Sequence, residues 1–86
     1  MYFVYMLECG DASVYTGWTV SLEKRVQAHS LGKGAKYTRS RLPVKLICSW
    51  EFPTSKEARQ FEAHCKTLTR SQKLLLMADH NSRSGF

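Results

Sequence analysis

The start of the chain constrains the fold more than any other stretch. Tyr2 to Glu8 is dense in aromatic and β-branched side chains, which pack well on a pleated surface. Gly10-Asp11-Ala12-Ser13 follows, a run of turn formers. Val14 to Gly17 then resumes the apolar and aromatic character. Two short strands around so brief a polar break pair antiparallel, because a parallel return needs a crossover of about a dozen residues or more. The chain therefore opens on a β-hairpin.

The later segments supply what covers it. Ser21 is placed to cap a helix, with Glu23 in the first turn where a negative charge suits the helix dipole. Leu22 and Val26 give that helix an apolar stripe, and Gly32 ends it. Lys33 to Pro43 holds four basic residues and reads as an ordered, exposed loop. Val44, Leu46, Cys48, Trp50 and Phe52 alternate with Lys45, Ile47, Ser49 and Glu51, which predicts a third strand with one buried face, closed by Pro53. Thr54 and Glu57 form a capping-box pattern. Behind it Ala58, Phe61, Cys65 and Leu68 recur at helical spacing. Thr69 and Gln72 repeat the capping pattern and start a short last helix through Leu74, Leu75 and Ala78. The expected class is α+β, a small three-stranded antiparallel sheet flanked by helices in the order β-β-α-β-α-α. With 86 residues there is room for one domain, expected over residues 1–79, with 80–86 as a flexible tail.

Charge narrows the partners. The chain carries +6 with a pI near 9.5, the footprint of a polyanion partner. From Lys24 to Trp50 there are seven basic residues (Lys24, Arg25, Lys33, Lys36, Arg39, Arg41, Lys45) and no acid. Within the loop, Lys33, Lys36, Arg39 and Arg41 with Tyr37 among them suit phosphate contacts plus one stacking ring, and the lack of acids favours nucleic acid over a merely solubilising loop. No apolar run approaches the roughly 20 residues that span a bilayer, and no membrane association is expected. Cys9, Cys48 and Cys65 are odd in number and widely spaced, which points to reduced cysteines and a cytoplasmic setting.

Phosphate loops, nucleophile elbows and dinucleotide or HExxH signatures are all missing, so kinase, serine-hydrolase, dehydrogenase and zincin readings have no support. What remains is a set of separate candidates. Tyr5 and Tyr15 stand on the two hairpin strands, where facing one side would bring their hydroxyls together; packing alone also accounts for strand tyrosines. Gly17 ends the second strand, as a site of close phosphate or backbone approach or as a plain turn residue. Arg25 and His29 lie one turn apart on one helix face. Glu62 borders the apolar stripe of its helix. It suits a hard divalent cation, or equally a surface pair with Lys66 or Arg59.

In this order the residues resemble the GIY-YIG nuclease family. Phe3-Val4-Tyr5 is similar to its first motif and Tyr15-Thr16-Gly17 to its second, and Arg25, His29 and Glu62 follow at matching places. The segment from Tyr2 to about Met77 resembles the short single-domain YhbQ or UPF0213 group, including Gly32-Lys33-Gly34-Ala35-Lys36-Tyr37-Thr38-Arg39 and Lys66-Thr67-Leu68-Thr69-Arg70. The resemblance implies a metal-dependent DNA endonuclease acting on single- or double-stranded, branched or damaged DNA, with a non-catalytic nucleic-acid-binding domain as the alternative. It implies one Mg²⁺ or Mn²⁺ ion on Glu62, Arg25 opposite the phosphoryl oxygens, and Tyr5 as general base assisted by Tyr15 and His29. A tyrosine base needs nearby positive charge to hold its phenolate, which Arg25 and the metal would supply. Gly17, Lys33, Lys36, Tyr37, Arg39 and Arg41 would contact the nucleic acid, and no obligate protein partner is implied. Trp18 stands where some members carry lysine, and Lys66 or Gln72 takes the place of a downstream polar residue.

Overall fold

The computed structural model describes residues 1–83, with side chains described to residue 80. Three strands, β1 (Tyr2–Glu8), β2 (Val14–Thr19) and β3 (Lys45–Phe52), form an antiparallel sheet in the order β2-β1-β3. Four helices accompany it: α1 (Leu22–Ser30), α2 (Lys36–Arg39), α3 (Ser55–Lys66) and α4 (Arg70–Arg83). The expected β-β-α-β-α-α order is present, with α2 as one added helical turn inside the basic loop. Among the described residues no helix is long and apolar enough to cross a membrane.

The hairpin strand is the centre of the sheet, flanked on both sides and covered on both faces. That is why Val4, Tyr5, Met6 and Leu7 are all buried rather than alternating. On one face Met6, Val14 and Cys48 meet Cys65 of α3 and Met77 of α4, with Trp50 and Phe61 packed against them. Both helix starts are capped, the second as a full reciprocal box. Thr54 Oγ1 accepts from the Glu57 amide at 3.2 Å, and Thr69 and Gln72 exchange bonds of 3.2 and 2.9 Å. Gln72 is thereby committed to a helix start.

Four details depart from the sequence expectation. Ser21 precedes α1 but makes no side-chain cap; its amide instead donates to Thr19 Oγ1 at 3.1 Å. Gly17 does not end β2, which runs on to Thr19. The alternation of β3 breaks where Met6 pairs Cys48 but Leu7 pairs Leu46, leaving Ile47 as the extra residue of a bulge. Ile47 therefore packs against the core, and Leu46, expected inside, is exposed. Finally α4 continues to Arg83, past the expected start of a flexible segment over 80–86; residues 84–86 lie outside the described ones.

Candidate active site

Cross-strand pairing creates the site. Tyr5 lies directly opposite Gly17, and Leu7 opposite Tyr15, so Tyr5, Tyr15 and Gly17 share one face of the hairpin. The face is the one the sequence could only suppose. The Tyr5 and Tyr15 ring centroids are 6.5 Å apart. A Cβ on Gly17 would sit 2.5 Å from the Tyr5 hydroxyl oxygen, so the missing side chain is what lets the phenol lie across the edge strand. Its role is room for Tyr5, rather than a turn.

From α1, His29 enters beneath the two rings and is 1% exposed. Its Nε2 is 2.8 Å from the Tyr5 hydroxyl, and its ring lies 5.2 Å from that of Tyr15. The basic loop then closes over the imidazole. Thr38 Oγ1, fully buried, sits 2.7 Å from Nδ1, and a Cβ on Gly34 would run into the ring. Thr38 was not among the sequence candidates. Its only signal was a hydroxyl between Tyr37 and Arg39 in a stretch that otherwise reads as solvent-facing.

Electrostatics sort the remaining groups. Burial first, then Tyr15 and Glu62, push the Tyr5 phenol above its ordinary value; Arg25 pulls against them and does not prevail. Tyr5 is therefore a neutral phenol at rest, and the positive charge of Arg25 alone does not supply the phenolate expected from sequence. Burial and the Arg25 guanidinium both hold His29 below its usual value, so the imidazole is neutral near pH 7. In the unfolded chain His29 would bind a proton more readily, so this contribution to stability is present above about pH 6.5 and is lost on acidification below it.

Of the two sequence readings of Glu62, the surface pair is present. Its side chain is 17% exposed, and it pairs with Lys66 one turn on at 3.5 Å. Among the described residues no three His, Cys, Asp or Glu side chains cluster as a metal cage. A single sheltered carboxylate suits Mg²⁺ or Mn²⁺, which keep water and substrate phosphate oxygens as most of their ligands, and does not suit a structural zinc. Lys66 engages only Oε2, so the other carboxylate oxygen is not part of that pair.

The loop residues divide. Lys33, Lys36 and Arg39 are exposed. Arg41 instead forms an ion pair with Asp11 at 3.0 Å and donates to the Tyr37 carbonyl. Its guanidinium lies 3.9 Å from the centre of the Tyr37 ring, which also stacks on Tyr15. Tyr37 and Arg41 are thus engaged within the protein, and base stacking on Tyr37 requires displacing them. Trp18 lies beside Arg25, the two lining a polar recess of about 300 Å³ with Thr19 and Val20. A roomier groove of about 510 Å³, bounded by Leu22, Val26 and Leu46, holds none of the candidate residues.

Residues 1–74 match the family model of the GIY-YIG catalytic domain. UPF0213 protein CPE1444 of Clostridium perfringens is 54% identical over 78 residues, covering 91% of this chain and 84% of the relative. The solution NMR structure of the UPF0213 protein BH0048 from Bacillus halodurans superposes with a TM-score of 0.59 at 46% identity, covering 91% of this chain and 84% of that one. That of the protein EF2693 from E. faecalis gives 0.61 at 40% identity, with coverage of 92% and 85%.

Proposed function

Because this chain belongs to the GIY-YIG family of nucleases, we propose that it is a metal-dependent DNA endonuclease that hydrolyses phosphodiester bonds with water as the nucleophile. The observation that carries this reading is the hydrogen bond between the Tyr5 hydroxyl and His29 Nε2 at 2.8 Å, within reach of the charges of Arg25 and Glu62. A neutral phenol bonded to a neutral imidazole can take up a proton without ever resting as a phenolate. As a water oxygen attacks phosphorus, its proton passes to the Tyr5 oxygen and the Tyr5 proton passes to His29 Nε2. The bond from phosphorus to the leaving sugar oxygen breaks, and that oxygen takes a proton from solvent. Arg25, exposed on α1, faces the charge that accumulates on the phosphoryl oxygens. Glu62 would hold a Mg²⁺ or Mn²⁺ ion, whose chemistry there would be polarisation of the phosphate and stabilisation of the leaving oxygen. Lys33, Lys36 and Arg39 bind backbone phosphates on either side.

A second acceptor for the water proton has support of its own. Tyr5 is 2% exposed, whereas Tyr15 is half-buried, and among the described residues its hydroxyl has no hydrogen-bond partner. The Tyr15 hydroxyl is thus the more open of the two toward a substrate.

The proposal is tested with labelled single-stranded, double-stranded and branched DNA, incubated with Mg²⁺, Mn²⁺ or EDTA and assayed in parallel for binding at several salt concentrations. Cleavage in metal and none in EDTA is the expected result, and the best-cut substrate names the preference. Salt-sensitive binding with no cleavage of any substrate would leave the fold as a non-catalytic nucleic-acid-binding domain, because counterion release accompanies phosphate contacts with or without chemistry.

A further inference from the structure

We infer that Thr38 is a positioning residue that fixes the tautomer of His29, so that the imidazole accepts the Tyr5 proton rather than donating to it. The inference rests on the proton path proposed above but stands on separate geometry. Thr38 Oγ1 touches two polar atoms: His29 Nδ1 at 2.7 Å and the Ala35 carbonyl oxygen at 3.1 Å. A hydroxyl has one proton to give, and a carbonyl can only accept. Two arrangements are therefore open.

In the first, Thr38 donates to the Ala35 carbonyl and accepts from Nδ1–H. Nε2 is then bare and receives the Tyr5 hydroxyl proton. Every donor meets an acceptor, and the bonds run in one direction: Tyr5 to His29 to Thr38 to the Ala35 carbonyl. In the second, Thr38 donates to Nδ1 and Nε2–H donates to Tyr5. The Thr38 and Ala35 oxygens then face each other with no proton between them. The buried Tyr5 hydroxyl proton also loses the acceptor it had in Nε2. The first arrangement satisfies all the groups within the protein; the second sets the Thr38 and Ala35 oxygens against each other and leaves the Tyr5 proton without its protein acceptor.

The surroundings hold this chain in place. Thr38 is fully buried, and the loop backbone at Gly34 lies so close to the His29 ring that a Cβ there would overlap it. The ring has little freedom to turn and exchange its nitrogens. The loop thus has two sides. Lys33, Lys36 and Arg39 face outward, while Gly34 and Thr38 clamp the histidine. Once His29 takes the Tyr5 proton, both of its N–H groups already have acceptors, Thr38 at one end and the Tyr5 oxygen at the other. The transient imidazolium is stabilised without rearrangement.

The test uses ¹⁵N-labelled protein and long-range ¹H–¹⁵N correlation of the His29 ring at a pH where it is neutral. Wild type and Thr38→Ser are expected to show Nδ1 protonated and Nε2 bare. Thr38→Val, of nearly the same shape but without the acceptor, is expected to lose that preference. Single-turnover DNA cleavage should fall about 10- to 100-fold in Thr38→Val and recover in Thr38→Ser. An Nε2-protonated ring in wild type overturns the inference, and this spectrum is available even should Thr38→Val not fold. So does a Thr38→Val protein that shifts the tautomer yet cuts at the wild-type rate. Absence of cleavage by wild type is a different failure, which strikes the nuclease reading and leaves the tautomer to be decided by the spectrum.

Discussion

Glu62→Gln is expected to reduce single-turnover DNA cleavage by about 10³-fold or more, since a divalent cation contributes several kcal/mol to a developing phosphoryl charge and each 1.36 kcal/mol is tenfold. The substitution is chosen for what it preserves. Gln keeps the size of the side chain at the margin of the α3 stripe and can still bond to water, so α3 continues to pack on the sheet. Among the described residues the ion pair lost is the one with Lys66, whose side chain is half exposed; such pairs contribute at most about 1 kcal/mol. Removing the carboxylate also removes one of the charges that hold the Tyr5 phenol up. The variant therefore loses activity for want of a metal, while its base is if anything easier to ionise. Circular dichroism and DNA binding should match wild type. Cleavage retained at the wild-type rate would remove Glu62 as the metal ligand.

The second large effect is expected at Tyr5. Tyr5→Phe keeps the ring that packs against Tyr15 and lies across Gly17, and deletes only the oxygen bonded to His29. One buried hydrogen bond between neutral groups is worth about 1 kcal/mol, so the protein stays folded. Proton transfer in the transition state is worth more, about 10²- to 10⁴-fold, and cleavage should fall by that factor with Mg²⁺ affinity unchanged. Tyr15→Phe provides the contrast. A small loss there assigns it to orientation; full cleavage by Tyr5→Phe beside inactive Tyr15→Phe moves the proton acceptor to Tyr15.

Much of this architecture is written in local sequence. The hairpin follows from its aromatic runs and turn formers. Both helix caps form where Thr54, Glu57, Thr69 and Gln72 predict them, the second as a full box, because a cap depends only on residues three apart. Features that depend on a distant partner were not legible. The β3 bulge arises from pairing with Leu7, some forty positions earlier, and nothing in the alternation of Val44 to Phe52 marks Ile47 as the extra residue. Tyr5, Tyr15, Arg25, His29 and Glu62 were recognisable one by one, but the Tyr5–His29 bond was not, since it spans 24 positions and depends on α1 crossing beneath the hairpin. Thr38 was hidden more deeply. Four basic neighbours made its loop read as surface, while its hydroxyl is the most enclosed polar group of the site. Arg41 shows the same limit in reverse. It counted as one more free cation until the turn brought Asp11 to it.

The most direct test of direct attack by water is the stereochemical course at phosphorus. A single-turnover reaction in ¹⁸O-labelled water, on DNA with one chiral phosphorothioate at the scissile position, makes the product phosphorus stereogenic, and its configuration distinguishes the two possible nucleophiles. One in-line displacement by water inverts phosphorus, and the path through Tyr5 and His29 predicts inversion. Attack by a tyrosine hydroxyl, for which the open Tyr15 is the nearest candidate, forms a tyrosyl phosphodiester that water then resolves, and two inversions give retention. Retention would contradict the account.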